Sequence, residues 1–304
     1  MSLPDHVIQT DGLSKRFGRK LALDHLDLCI PRGRIHAIVG ANGAGKSTLF
    51  RVLLGFLAPS AGNARILGRD SARLTPADRA RIGFVNEEHT LPGWMRVADI
   101  ARMQRREYAR WNPRAYDEVI GHYHVLPEQK VGQLSRGERA GFNLALALAR
   151  SPELLILDEP TLGLDVVAKR AFLESLMYSN ATEQCTVIYC SHQMEEIERV
   201  ADNLIILERG RLVHMSPPDE FCARVSHWVA DIPFKGPDAA DIPGLLERQR
   251  IDGLHHYLVF DQDEGFGDFL RGAGARNVQC MPVSLDRAVN AFLAKNHIAP
   301  TASA

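Results

Sequence analysis

Hydrophobic positions fall into two alternating rhythms along the chain. Val7-Ile8-Gln9, the alternating stretch Ala22–Ile30 and the apolar run Ile35–Val39 read as strands, with Pro31-Arg32-Gly33 as a turn between the last two. Ser47–Gly55 then reads as a helix ended by its glycine. From about Thr90 to Gln133 the texture changes: arginines, tryptophans and histidines interleave with a helical pattern over Val97–Ala109, and Pro113 opens a second helix. The Ala/Leu-rich run Arg139–Ala149 is a strong helix former that leads into a buried strand, Leu154–Leu157. A helix over Val166–Tyr178, a strand Thr186–Tyr189, a helix Gln193–Val200 and a strand Asn203–Leu207 continue the alternation of an α/β domain.

Pro217-Pro218 loosens the pattern, and a helix through about Val225 closes the main domain. Beyond it, strands near Trp228–Ile232, His255–Phe260 and Val278–Val283 alternate with helical segments at Gly265–Leu270 and Asp286–Lys295. The expected organisation is a large α/β domain over residues 1–225 and a small α+β appendage over 226–304, with Ala299–Ala304 frayed.

Composition narrows this only a little. The 304 residues carry a formal charge of −1, with neither a basic field sized for nucleic acid nor an acidic tail. Apolar runs are strand-length, well short of the roughly 20 residues that cross a bilayer. The Met-Ser-Leu-Pro-Asp-His start lacks a basic segment followed by an apolar core, so no secretion signal is expected. The five cysteines form no Cys-x-x-Cys pair, which suits reduced thiols in the cytosol.

Chemistry enters between the strand Ile35–Val39 and its following helix. Gly40-Ala41-Asn42-Gly43-Ala44-Gly45-Lys46-Ser47 fits G-x-x-x-x-G-K-[ST] and runs into Thr48. Glycines let successive backbone N–H groups turn inward around phosphate oxygens, and the helix that follows points its positive end at the anion. Lys46 is placed to reach the β- and γ-phosphates of ATP, and the Ser47 hydroxyl to ligate Mg²⁺. Leu154-Leu155-Ile156-Leu157-Asp158-Glu159 sets two carboxylates where an apolar strand ends, the edge at which α/β sheets bind ligands. Asp158 is the expected magnesium partner, and Glu159 the group that orients and polarises the attacking water. Acids at a strand end also cap helices, but the phosphate loop beside them favours the catalytic reading.

Leu134-Ser135-Arg136-Gly137-Glu138 lies between these motifs, Pro160-Thr161-Leu162-Gly163-Leu164-Asp165 follows them, and His192 comes after the next strand. Over residues 5–222 this order and spacing resemble the ATP-binding subunit of ABC transporters. The resemblance implies a P-loop ABC-type ATPase fold with a helical subdomain at about 90–150. It also implies roles: Phe17 stacks on adenine, and Ser135 and Gly137 contact ATP held by a second subunit. Asp165 lies in the loop that crosses the dimer interface, and His192 contacts the γ-phosphate. A dimer of two such subunits, a homodimer being the simplest, would close on ATP and drive separate transmembrane permease subunits from the cytoplasmic face of the membrane, without nucleic acid as a partner.

Two positions depart from the family pattern. Glu87 in Ile82-Gly83-Phe84-Val85-Asn86-Glu87 replaces the usual glutamine, so a carboxylate either joins the Mg²⁺ site or merely keeps the shape. Arg136 replaces the first glycine of Ser135-Arg136-Gly137, where a solvent-facing arginine is expected rather than a phosphate contact. Leu91, Trp94, Met95 and Val97 either line the groove for the membrane subunit or belong to the core. His122-x-His124 and His255-His256 are expected in exposed loops and at strand edges, not as metal ligands. Arg105-Arg106-Glu107-Tyr108-Ala109-Arg110-Trp111 mixes cations and aromatics as single-strand nucleic-acid surfaces do, yet reads as a solvated face of the helical subdomain.

The C-terminal run Pro282-Val283-Ser284-Leu285-Asp286 resembles the tail of ABC-2-type exporter subunits and favours export. The rival is a soluble non-transport ABC ATPase acting on a ribosome or nucleic-acid complex. Only 88 positions separate Lys46 from Leu134, too few for the coiled coil of chromosome-associated relatives, and a single cassette is present. A small-molecule kinase with the same phosphate loop leaves Ser135-Arg136-Gly137 and His192 unexplained.

Overall fold

The computed structural model describes residues 5–183, 185–233 and 236–298. In chain order its elements are β1 (His6–Phe17), β2 (Lys20–Pro31), β3 (Ile35–Val39), α1 (Lys46–Leu53), β4 (Ala61–Ile66), β5 (Arg69–Asp70), α2 (Pro76–Arg79), β6 (Ile82–Asn86), α3 (Val97–Glu107) and α4 (Pro113–Gly121). There follow α5 (Arg136–Ala149), β7 (Leu154–Asp158), α6 (Val166–Glu183), β8 (Thr186–Cys190), α7 (Met194–Val200), β9 (Asn203–Glu208), β10 (Arg211–Ser216), α8 (Pro218–Ala223) and β11 (Val225–Ala230). The chain closes with β12 (Leu245–Ile251), β13 (Leu254–Phe260), α9 (Gly265–Gly272), β14 (Val278–Met281) and α10 (Leu285–Ile298). The expected fraying of Ala299–Ala304 lies outside the described residues.

Two compact units divide these elements. The first runs to His192 and takes in Arg199–Met215; the second joins Gln193–Glu198 to the chain from Ser216 onward. In the first unit a six-stranded sheet has the order β10-β9-β3-β8-β7-β6, and a four-stranded sheet the order β2-β1-β4-β5. Strands β6, β7, β8, β3 and β9 run parallel. β3 and β8 are buried at every position and β7 at every position but Asp158, as a sheet covered on both faces requires. Their uninterrupted apolar runs are what made these strands visible in the sequence.

One face of that sheet shares a core with α1 and the smaller sheet. Leu49, Phe50, Val52 and Leu53 of α1 pack among Ile38, Ile156, Ile188 and Ile205 on one side and Ile8, Leu13, Leu26 and Leu28 on the other. Each fully buried side chain of this size contributes about 1.5–3 kcal/mol. The core therefore fixes α1, and with it the glycine loop that precedes it. α5 is buried along nine of its fourteen residues, and its helical start is set by a capping box. The Ser135 hydroxyl accepts from the Glu138 N–H (3.2 Å) while the Glu138 carboxylate accepts from the Ser135 N–H (2.7 Å).

The second unit centres on an antiparallel sheet of order β12-β13-β11-β14. Trp228, Ala230, Tyr257 and Val259 on one face pack with Phe266 and Leu270 of α9. On the other side Phe292 of α10 stacks edge-on against Phe221 (5.4 Å) and lies 5.1 Å from Phe260. β12 was not expected, because Leu245-Leu246-Glu247-Arg248-Gln249-Arg250 has a mostly polar pattern; it forms as the pairing partner of β13. β11 starts at Val225, three residues before the expected Trp228, since pairing with β13 begins at Val225 opposite Phe260.

His255 corrects an expectation. It is buried at 2 % exposure and stacks on Tyr257 (6.1 Å), because the pleat of β13 sends alternate residues from 255 onward into the α9-side core. No helix among the described residues is long and apolar enough to cross a membrane.

Candidate functional site

At the carboxyl edge of the parallel sheet, β3 delivers the chain into the loop Gly40–Gly45. A Cβ at Gly40 would run into the carbonyl oxygen of Leu207, and one at Gly45 (φ 106°) would come within 2.6 Å of the Ala22 carbonyl. Glycine is thus required where the loop is wedged between β2 and the end of β9. The Gly210 N–H donates to the Ala44 carbonyl (2.9 Å) and locks the wedge.

Beyond the loop opens a cavity of about 610 Å³. Asn42, Gly43, Ala44, Gly45, Lys46, Ser47 and Thr48 form one wall, and Asn86, Glu87, Glu88, Asp158 and Glu159 face them. Gly40 and Ala41 are not in that lining; instead their carbonyls accept from the Lys46 ammonium at 2.5 and 3.4 Å. Lys46 folds back on its own loop.

Strand pairing sets the carboxylates. Asp158 stands abreast of Asn86 on β6 and Cys190 on β8. Burial, followed by the Asp158 charge, pushes the Cys190 thiol pKa well up. Glu159 leaves the strand with φ 51°, a left-handed conformation that costs a non-glycine residue roughly 1–2 kcal/mol. Its turn is held from two sides. From β8, the Cys190 carbonyl accepts from the Glu159 N–H (2.9 Å), and the Tyr189 and Thr161 hydroxyls meet at 3.2 Å. From the β6 side, His89 Nε2 lies 2.9 Å from the Pro160 carbonyl. His192 Nδ1 approaches the Glu159 carboxylate at 2.8 Å. A carboxylate accepts, so in this contact the hydrogen comes from His192 Nδ1.

Several expected site residues, His192 among them, lie outside the cavity lining. Ser135, Gly137 and Asp165 are absent from the cavity lining. Ser135 and Asp165 are instead helix caps in this chain, the latter accepting from the Ala168 N–H (2.8 Å). Gly137 lets α5 pass close to α6, since a Cβ there would meet that of Ala168 at 2.9 Å. Phe17, at the β1–β2 turn, is 45 % exposed and does not line the cavity, whereas Lys20, Phe56 and Phe84 do.

Arg136 is exposed, and its guanidinium also covers Gly163, where a Cβ would meet Nη1 at 2.6 Å. The alternatives for the 91–97 stretch divide: Val97 is core, while Trp94 is 77 % exposed. His89, 1 % exposed, was not singled out in the sequence, because its partner lies 71 positions away. Burial lowers its pKa to about 4, with the charges of Arg136 and Arg139 acting in the same direction.

A crevice at the carboxyl ends of parallel strands, walled by a glycine loop at a helix N-terminus and faced by carboxylates, suits a polyphosphate, and it places the chain among the P-loop nucleotide hydrolases. Residues 23–162 match the profile of the family described as ABC transporter. The daunorubicin resistance ATP-binding protein DrrA3 of Streptomyces coeruleorubidus is 35 % identical over 94 % of this chain and 93 % of its own length. The bacitracin transport ATP-binding protein BcrA of Bacillus licheniformis is 34 % identical over 83 % and 82 %. Among solved structures, cbiO1 of Clostridium perfringens, part of the ABC transporter complex cbiONQ, superposes with a TM-score of 0.62 at 25 % identity, covering 72 % of this chain and 92 % of that one. The chain belongs to the ABC transporter family, as an ATP-hydrolysing subunit.

Proposed function

We propose that this chain energises an exporter of the ABC-2 type. Two copies bind ATP between them at the cytoplasmic face of the membrane and drive separate membrane-spanning subunits. The observation that carries this reading is the end-to-end similarity to a drug-resistance ATP-binding protein, which extends beyond the catalytic unit through most of the second.

In this reading the loop 40–48 holds the phosphates by backbone N–H groups, and Lys46 leaves the Gly40 and Ala41 carbonyls for the β- and γ-oxygens. The Ser47 hydroxyl and the Asp158 and Glu87 carboxylates line one cavity, an all-oxygen donor set that fits Mg²⁺. Bound there, Mg²⁺ would neutralise charge on the phosphate oxygens. Glu159 has one carboxylate oxygen engaged by His192 and the other available to accept a proton from the attacking water. His192 holds that carboxylate in place.

Ser135, Gly137 and Asp165 stand outside their own chain's cavity, which supports their serving the ATP of a second copy. Neither half-site is then complete, so ATP joins the subunits and hydrolysis releases them, a rigid-body motion passed to the membrane subunits. The similarity to transport and resistance proteins does not favour a ribosomal or nucleic-acid ATPase.

Affinity purification of the tagged chain from membranes, with identification of co-purifying proteins, tests the reading. We expect a membrane protein with several spanning helices; recovery of only ribosomal or chromosomal proteins would refute it.

A further inference from the structure

Glu159 stands at the end of β7, whose two neighbours are β6 and β8. From the β8 side its turn is held by the Cys190 carbonyl and the Tyr189 hydroxyl, and its carboxylate by His192. From the β6 side the anchoring side chain is His89. It follows Glu87 by two residues, in a turn closed by its own N–H to the Asn86 carbonyl (3.2 Å), with φ 45°. The ring is 1 % exposed, and its Nε2 meets the carbonyl of Pro160, the residue after Glu159, at 2.9 Å. A proline carbonyl only accepts, so Nε2 carries the hydrogen and donates it.

Pro160 has no N–H of its own, and Glu159 before it holds a left-handed backbone. The Glu159 carbonyl accepts from the Leu162 N–H (3.3 Å), and the Pro160 carbonyl, on the Pro160–Thr161 peptide that follows, is the acceptor by which His89 holds the chain just after Glu159. With His89 in place, the peptide cannot rotate without leaving a buried donor unmade.

We propose that His89 is a positioning residue for hydrolysis: its Nε2–H clamps the Pro160 carbonyl, fixes the Glu159 turn, and ties the Glu87 segment to the residue that activates water. His89 does not line the cavity. The inference rests on the proposed role of Glu159, and Glu159→Gln measured in the same series separates the two. If Glu159→Gln keeps wild-type turnover, the site reading itself fails. If that variant is dead and His89→Ala turns over normally, only the His89 proposal fails.

The test compares His89→Gln, His89→Asn and His89→Ala in steady-state ATPase assays of the full-length chain, with fluorescent-nucleotide binding alongside. A glutamine amide nitrogen reaches the place of Nε2, whereas that of asparagine reaches only the place of Nδ1. Asparagine tolerates φ 45° best of the three, so a defect in that variant cannot be assigned to backbone strain. Misplacement of a catalytic group by about 1 Å costs up to about 100-fold in rate. We expect kcat to fall about tenfold or more in the Asn and Ala variants, with KM and nucleotide affinity within about threefold of wild type. The Gln variant should retain kcat within about threefold. Wild-type kcat in the Asn and Ala variants, equal loss in Gln and Asn, or loss of nucleotide affinity in place of kcat would each overturn the proposal. If His89→Ala does not fold, the Gln and Asn pair decides.

Discussion

Acid should weaken this protein through His36, and the effect has a definite sign and size. His36 is fully buried in the central strand β3. Its Nε2 donates to the Pro31 carbonyl (3.0 Å), and its Nδ1 lies 3.4 Å from the Asn203 side-chain amide. Both nitrogens are used by the neutral ring, and a second proton would put a charge inside the sheet. Burial accordingly lowers the pKa from 6.5 to about 4, outweighing the Pro31 contact and the Asp202 charge that act upward. The folded state binds the proton less readily than the unfolded chain, so this contribution is complete above about pH 6.5 and is lost as pH falls towards 4. At pH 5 the unfolded histidine is almost fully protonated and the folded one about a tenth, a difference worth about 2 kcal/mol.

Urea unfolding of wild type and His36→Gln at pH 8 and pH 5, followed by circular dichroism, measures that difference. The glutamine amide replaces Nε2 without titrating. The variant is expected to be less stable at pH 8 yet to lose about 2 kcal/mol less than wild type on going to pH 5. Other titrating groups, including His89 and His227, are common to both proteins and cancel in the comparison. Equal losses in the two proteins would refute the burial argument.

Glu87→Gln removes a carboxylate from the wall that faces Ser47. It should shift the Mg²⁺ concentration for half-maximal ATPase activity upward, and an unchanged titration would show that Glu87 only fills space. Mixing chains tests the shared site. Lys46→Ala and Ser135→Ala chains, each impaired as a homodimer, should recover activity together, because a mixed dimer contains one site with both intact residues. Mixtures no more active than the separate variants would exclude sharing between copies.

Sequence and structure agree most closely where chemistry restricts residue type at fixed spacing. A backbone cradle for phosphate needs glycine at Gly40 and Gly45, and the wedge against Leu207 and Ala22 shows why no other residue fits. The buried parallel strands were legible because both faces are covered, which leaves unbroken apolar runs. Contacts distant in sequence were not legible. His89 reaches Pro160, and Phe56 lines the cavity from beyond Gly55, with no local pattern marking either. Phe17, expected from its motif position to stack on adenine, stands at the β1–β2 turn outside the cavity lining and beside Lys15, whose ammonium lies 5.3 Å from the ring. His255 was misjudged because a histidine pair looks polar, while the strand pleat separates the two rings and buries one.

The central claim is that ATP joins two copies and that Glu159-dependent hydrolysis parts them. Glu159→Gln keeps the phosphate loop intact while removing the carboxylate. Light scattering of the purified variant with saturating ATP and Mg²⁺ should show a stable dimer, and wild type under the same conditions should return to monomer as ATP is consumed. A variant that binds ATP yet remains monomeric would contradict the account.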